Sequence, residues 1–517
     1  MSRLTLAALV ALAACSNPKD PEGWAKRAAS RSRLDEKLEA LSEVRKAPGD
    51  RKAAVPHLLK ILQDADAHPK AKSEAAVALG EIGDPSAIPA LVATIRPEAR
   101  ERDAVDANRH AADALGALRA REAVPALTTL LQRSGDGYTQ VAAVDALGRI
   151  GDPAAVDTLV GVATGEKVEP FTARKALLAL GRIGDAKASG AVMRMLFEER
   201  AGVSFFPEAA FAAVQIGRPM AAPLLGVLEG RDAALGAWAR EHGVLPGALY
   251  AKSAQLLGDV GGAEAVPALV KKLGYQDADS RIATFVRVFA AESLGRMRAK
   301  EAARPLADLV VKERDADVRD RYCEALARIG DPAALPALRT AAQSGDWSLR
   351  QGPLTALSRL GGEAERAVVG AAKAKDCGGE CARPLAEAFE GMTARLDAAK
   401  SCAGAAGCWA GKLADPSAAV RDRAALEVGR SGGAAHAPAL GEAIVRQAGG
   451  DADVMARYHA VLALGWIASR EKLGPAAEPI ARKLEEMIAQ DRGRTLTAGV
   501  NEDALRLATK LRRAASP

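Results

Sequence analysis

The residues Leu79-Gly80-Glu81-Ile82-Gly83-Asp84-Pro85 return, with substitutions, along almost the whole chain. They recur as Leu147-Gly148-Arg149-Ile150-Gly151-Asp152-Pro153, as Leu180-Gly181-Arg182-Ile183-Gly184-Asp185 and as Leu326-Ala327-Arg328-Ile329-Gly330-Asp331-Pro332. Counted from its first residue, the phrase can be followed from Leu41 through Leu115, Val214, Leu257, Leu294, Leu357 and Val428 to Leu464. The steps run from 31 to 43 residues apart from one of 71, which has room for a further degenerate unit. The chain therefore holds about 13 units. A unit this small cannot bury its own apolar face, so the units must stack and cover one another.

Each unit reads as two helices. Ahead of the phrase, apolar residues fall at helical spacing, as in Ala75, Ala76, Leu79 and Ile82. Glycine then ends this first helix, because the terminating position favours a left-handed backbone that glycine adopts without steric penalty. Asp84, Asp152 and Asp331 can cap the second helix, and the proline after each suits a first turn. The many glycines all read as helix-end punctuation. No segment alternates with period two over a useful length, so no strand is predicted. An aromatic content of 3% suits thin helices packed close together.

Over roughly residues 35–490 this pattern resembles the HEAT repeat, in the short variety named after phycobilisome lyase subunits. The resemblance implies an all-α fold, an α-solenoid wound as a right-handed superhelix. It also implies that second helices line a concave face, which in this family usually binds another macromolecule. On this reading residues 35–373 and 411–490 are HEAT-like repeats, 374–410 a degenerate cysteine-bearing repeat and 491–517 a C-terminal capping helix. Glu485, Glu486, Arg512 and Arg513 suit a terminal element whose outer face meets water.

The N-terminus carries an address. Arg3, an apolar run from Leu4 to Ala14 and then Cys15 describe a secretory signal, too short to span a bilayer. Leu12-Ala13-Ala14-Cys15 is similar to a bacterial lipobox, which implies cleavage after residue 14 and acylation of Cys15. Residues 1–14 are then a lipoprotein signal peptide, and 15–34 the acylated cysteine and its tether. Several acyl chains anchor a protein stably, since each buried methylene contributes about 0.8 kcal/mol. Ser16 in place of Asp points, by analogy with enteric sorting, to the outer membrane, with the protein facing the periplasm.

Cys377 and Cys381, and Cys402 and Cys408, form two close pairs. Such a quartet can bind zinc, but an oxidising compartment favours disulfides. Residues 382–401 read as one helix, and a helix of that length separates the pairs by about 30 Å. A disulfide tolerates roughly 7 Å between Cα atoms. Local bridges, Cys377–Cys381 and Cys402–Cys408, are therefore expected, whereas a break at Gly391 would permit nested pairing. Cys323 reads as a buried small residue.

Basic residues outnumber acidic ones only 71 to 65 and the two are interspersed, which argues against nucleic acid as a partner. The runs Val318-Arg319-Asp320-Arg321 and Val420-Arg421-Asp422-Arg423 open first helices. They read as a structural ladder in which the arginines face the inter-helix Asp of adjacent repeats. Half of the chain's aromatic residues lie between Phe197 and Phe289, where an insertion around 230–251 lengthens one repeat. Insertions in repeat proteins map to loops on one face, and aromatic side chains anchor interfaces. Phe205, Phe206, Trp238, His242 and Tyr250 are thus candidate partner-binding residues. The plainer alternative is that these rings fill an enlarged core.

No catalytic constellation is legible. His57, His68, His110, His242, His436 and His459 are scattered, and none lies three or four residues from another as helical metal ligands do. No His-Glu dipeptide occurs, whereas deoxyhypusine hydroxylase, an iron enzyme built from related repeats, carries such pairs as ligands. Phycobilin lyase activity needs a cytoplasmic pigment-protein substrate, which conflicts with the export signal. Phosphate-binding glycine loops and a Gly-x-Ser-x-Gly elbow are missing. No cofactor, metal or small-molecule substrate is predicted. The expectation is a lipid-anchored, non-catalytic protein-binding scaffold of the bacterial cell envelope. A structural protein binding cell wall or polysaccharide is the alternative, and a cytosolic relative of the lyases or hydroxylases the third reading.

Overall fold

The structure, a computed structural model, describes residues 20–343, 346–374, 379–446, 451–491 and 498–515. Cys15 and Cys377 lie outside the described residues, and with them the acylation site and the Cys377–Cys381 pairing. The chain divides into two compact units, Met1–Ile216 and Gly217–Pro517.

Unit 1 begins with α1 (Pro21–Ser30), α2 (Leu34–Lys46), α3 (Val55–Gln63), α4 (Pro69–Ile82), α5 (Ile88–Thr94) and α6 (Arg102–Ala117). It continues through α7 (Val124–Arg133), α8 (Gly137–Ile150), α9 (Val156–Thr164), α10 (Pro170–Ile183), α11 (Ser189–Met195) and α12 (Phe206–Ile216). Unit 2 opens with α13 (Ala221–Leu228), α14 (Ala233–Glu241), α15 (Pro246–Val260), α16 (Val266–Lys272), α17 (Ser280–Met297) and α18 (Ala303–Lys312). Next come α19 (Ala316–Ile329), α20 (Leu335–Ala341), α21 (Trp347–Leu360), α22 (Glu363–Ala374), α23 (Gly379–Cys402) and α24 (Ala406–Lys412). The last are α25 (Ala418–Ser431), α26 (Ala437–Val445), α27 (Asp451–Arg470), α28 (Ala477–Gln490) and α29 (Ala498–Ala515). In sequence order these make thirteen pairs of a first and a second helix, with α1 ahead of them, α14 inserted and α29 last; the unit boundary falls between α12 and α13. The fold is a nearly all-α solenoid.

One element departs from the all-helical expectation. β1 (Glu199–Arg200) and β2 (Val203–Ser204) pair antiparallel. Ala201 and Gly202, at φ of 50° and 75°, form the tight turn that such a hairpin requires. Two residues on each side leave no alternation for a sequence reading to detect.

The repeated phrase builds each unit locally. Gly83, Gly151, Gly184 and Gly330 follow their first helices at φ of 77°, 75°, 67° and 73°, the left-handed cap that glycine permits. Asp84, Asp152, Asp185 and Asp331 each accept the backbone N–H two residues on, at 2.8–2.9 Å. They cap a short 3-10 turn, such as Pro85–Ala87, which leads directly into the second helix. The cap therefore acts one turn earlier than expected. Leu79, Leu115, Leu147 and Leu180 in unit 1, and Leu257, Leu294, Leu326 and Leu357 in unit 2, are wholly buried along the seam.

The first glycine of the phrase is not punctuation. It sits inside the first helix, on the face that meets the next one. A Cβ on Gly80 would stand 3.0 Å from the Cα of Ala114, and one on Gly116 2.8 Å from the Cα of Ala146. The same holds for Gly148 against Ala179 at 2.9 Å and, in unit 2, Gly295 against Ala325 at 3.0 Å. First helices thus touch backbone to backbone, and they pack on one another more closely than second helices do.

In unit 2 this close packing turns the first helices inward. Arg298, after α17, lies 5.0 Å from the Trp466 ring of α27, and Arg328 of α19 lies 5.0 Å from the ring of Tyr458. Arg506 of α29 reaches Asp259 of α15 at 3.8 Å. The resemblance implied second helices on the concave side; within unit 2 the first helices face one another instead. The arginine runs are structural, but with different acceptors from those expected. Arg319 donates to the backbone oxygens of Leu349 (2.8 Å) and Glu313, and Arg421 to those of Asp415 (2.5 Å) and Pro416 (2.7 Å). Arg321 and Arg423 pair with Glu292 and Glu427. Asp331, the inter-helix Asp after α19, is already engaged as the cap of its own turn.

Helix α23 runs unbroken through Gly391, and the sulfurs of Cys402 and Cys408 are bonded at 2.00 Å with Cα atoms 5.3 Å apart. Cys323 is buried and free, and burial pushes its thiol pKa well up.

Candidate protein-docking site

Two exposed rings stand at matching places in neighbouring repeats of unit 1. Tyr138 is the second residue of α8 and Phe171 the second of α10. Each lies nine residues ahead of its repeat's signature leucine, Leu147 or Leu180. Their exposures, 74% and 58%, are the largest of any bulky apolar residue described. Since α8 and α10 pack side by side, at the roughly 8–10 Å usual for helix axes, the rings form one row. Local chemistry turns Tyr138 outward: Asp136 accepts both the N–H and the hydroxyl of Thr139 at 2.7 Å, which fixes the start of α8 with Thr139 buried.

Cations flank both rings. The Arg109 guanidinium of α6 lies 6.0 Å from the Tyr138 ring centre, and the Lys175 ammonium 5.7 Å from that of Phe171. Arg109 also lines a cleft of about 460 Å³ between loops 98–102 and 133–136, with Arg100, Arg102 and Arg133. Glu98 pairs with Arg133 at 3.3 Å and Asp106 with Arg109 at 2.7 Å, so part of this charge is neutralised. Tyrosine, phenylalanine and arginine beside a polar rim are what interfaces enrich.

The residues singled out from the sequence are divided between the units. Phe205 is unavailable to a partner, being wholly buried with the Arg200 guanidinium 5.1 Å from its ring; Phe206 is part-buried. In unit 2, Trp238 stacks on exposed His242 at 4.6 Å between ring centres. Tyr250 is half-buried, edge-on to Tyr275 at 5.7 Å, with the Lys272 ammonium 3.3 Å from its ring centre. Burial, and then Lys271, push the Lys272 pKa down to about 8. Phe205 therefore serves the core, Tyr250 stands half-buried at its edge, and the Trp238–His242 pair stays at the surface. Tyr138 and Phe171 were missed. Their signal was positional, an aromatic at one fixed distance from the signature leucine in two consecutive repeats.

Among the described residues no group of three or more His, Cys, Asp or Glu converges to hold a metal ion. Ser73 and His110 are 2.5 Å apart, with Ser73 buried and His110 part-buried. No single described helix is long and apolar enough to cross a membrane.

The geometry is that of a stack of helix-pair repeats, and the sequence comparisons agree on the repeat. The chain carries HEAT repeats: the HEAT-repeat family model matches residues 97–173, 130–204 and 310–389, and that of the PBS lyase HEAT-like repeat matches 71–95. No curated protein matches the chain. Among solved structures it is similar to one titled the Kap95:Nup1 complex, at 14% identity over 94% of this chain and 70% of that one, with a TM-score of 0.48. Importin beta aligns at 12% identity over 93% of this chain and 80% of its own, with a TM-score of 0.39. Human deoxyhypusine hydroxylase aligns at 18% identity over 68% of this chain and 98% of its own, with a TM-score of 0.19. Likenesses this distant carry no functional argument.

Proposed function

We propose that the chain is a non-catalytic scaffold that docks a protein partner, exported and held at the periplasmic face of the outer membrane by acylated Cys15. The observation that carries the docking is the row of Tyr138 and Phe171 beside the arginine-lined cleft. Two rings in register with water around them are the anchors that a partner surface covers. A solenoid adds further contacts along its length, each weak, and their sum sets affinity.

The docking is tested by pull-down from detergent-solubilised membranes. Wild type should recover a stoichiometric protein partner, and the Tyr138→Ala/Phe171→Ala variant should lose it. Loss of two interface anchors of about 2 kcal/mol each weakens binding by three orders of magnitude. Because both rings are exposed, the variant's stability should change by only about 0.5 kcal/mol. Recovery of the same partner by the variant would sink the assignment. Anchoring is tested separately, by labelling cells with a palmitate analogue. Wild type should take up label and Cys15→Ala none; an unlabelled wild type removes the envelope location.

A further inference from the structure

Four arginines converge inside unit 2, where one carboxylate answers them. Arg298 follows α17, Arg423 and Arg430 belong to α25, and Arg470 ends α27. Glu427 pairs through the same oxygen, Oε1, with Arg423 at 2.6 Å and Arg430 at 3.1 Å. Arg470 donates to the carbonyl oxygens of Gly429 and Gly432 at 2.9 and 3.1 Å, the ordinary work of a cation at a helix C-terminus. Arg298 instead lies over Trp466, which itself rests against Gly429 beside Arg430. The Nε–H groups of Arg298, Arg423 and Arg430 are buried without an acceptor. Burial, then Arg430, push the pKa of Arg298 down to about 10, against the pull of Glu427.

The backbone also sets Arg298 apart. Its φ is 56°, at the place in the repeat where Gly83, Gly151, Gly184 and Gly330 stand, so it carries a steric penalty that glycine escapes. Arg119 fills the matching place in unit 1 at φ 51°, so an arginine there is not in itself a site. What distinguishes Arg298 is that its guanidinium joins three others. Gly330 in turn makes room for Arg430, whose Nη2 stands where a Cβ would reach.

We propose that Arg298, Arg423 and Arg430 bind a phosphate-type oxyanion, free or as the terminal phosphate of a small monoester, on the inner face of unit 2. Planar guanidinium forks present paired N–H donors that match a tetrahedral oxyanion. Three cations against the single charge of Glu427 leave a surplus that such an ion neutralises. Side-chain exposures of 22% for Arg423 and 24% for Arg430 leave the cluster reachable by a small ion. This site is independent of the docking row in unit 1.

The experiment is calorimetric titration of the full chain with inorganic phosphate and with glycerol phosphate, against chloride at equal ionic strength to remove simple screening. Wild type should bind phosphate and melt at a higher temperature when saturated. Arg298→Gly gives the left-handed position its preferred residue, so the phosphate-free variant should melt no lower than wild type. Its affinity for phosphate should nevertheless fall about tenfold or more, with Arg430→Gln showing the same loss. Tighter binding of the ester identifies a phosphorylated small molecule and equal binding the free ion; both support the site. Absence of binding, an equal response to chloride, or undiminished affinity in both variants overturns it.

Discussion

Gly148→Val should destabilise the α8–α10 contact by about 3 kcal/mol, the upper end for overpacking, because the obstacle is backbone and cannot rotate away. The added Cβ would meet the Cβ of Ala179 at 2.8 Å and its Cα at 2.9 Å. Gly161→Ala in α9 should do the opposite. A Cβ there meets nothing within 4 Å, so the change should stabilise by about 0.5–1 kcal/mol through helix propensity. In a repeat array the transition need not be two-state, so the readout is hydrogen exchange resolved along unit 1. Loss of protection confined to 137–183 in Gly148→Val, with a gain in Gly161→Ala, is the expected result. Equal effects of the two variants would show that the first helices do not touch as described.

The second large effect lies in unit 2, where His459 Nδ1 donates to the Asp422 carboxylate in the interior. Burial by itself would raise the Asp422 pKa, but His459, Arg359 and Arg328 overcome it and hold it at about 2. A carboxylate held below its unfolded value of about 4 contributes stability that is complete above that value. The contribution is lost as pH falls through 2, so the acid limb should appear between about pH 4 and pH 2. His459→Leu leaves the charge buried without its hydrogen-bond donor and should cost about 3–5 kcal/mol at neutral pH. Adding Asp422→Leu should recover much of that loss, since the buried carboxylate that lacked its donor is gone while Arg328 keeps Glu324 as its partner. Hydrogen exchange across 418–470 as a function of pH reads all three proteins. A double variant no more protected than the single one would refute the pairing.

Much of this was legible from the order of residues. The period, the two helices per unit, the left-handed glycine and the Asp cap all follow from interactions within a few residues, and the last two recur in several copies. Gly80 and Gly148 were misread for the opposite reason. Nothing within their own repeat separates them from the capping Gly83 and Gly151; the Ala114 and Ala179 that they admit belong to the next repeat. Tyr138 and Phe171 were passed over because abundance of aromatics was weighed and register was not. Phe205 shows the converse, an aromatic in the dense region that the stack absorbs.

The sequence by itself determined a stack of helix pairs, because a unit with one apolar face and local caps has no other way to hide that face. Only the tertiary structure decided which side of the stack turns inward in unit 2. That choice follows from glycine meeting alanine backbone between first helices, a contact between neighbouring repeats that no single repeat encodes. It brings Arg298, Arg328, Tyr458 and Trp466 together from repeats more than a hundred residues apart.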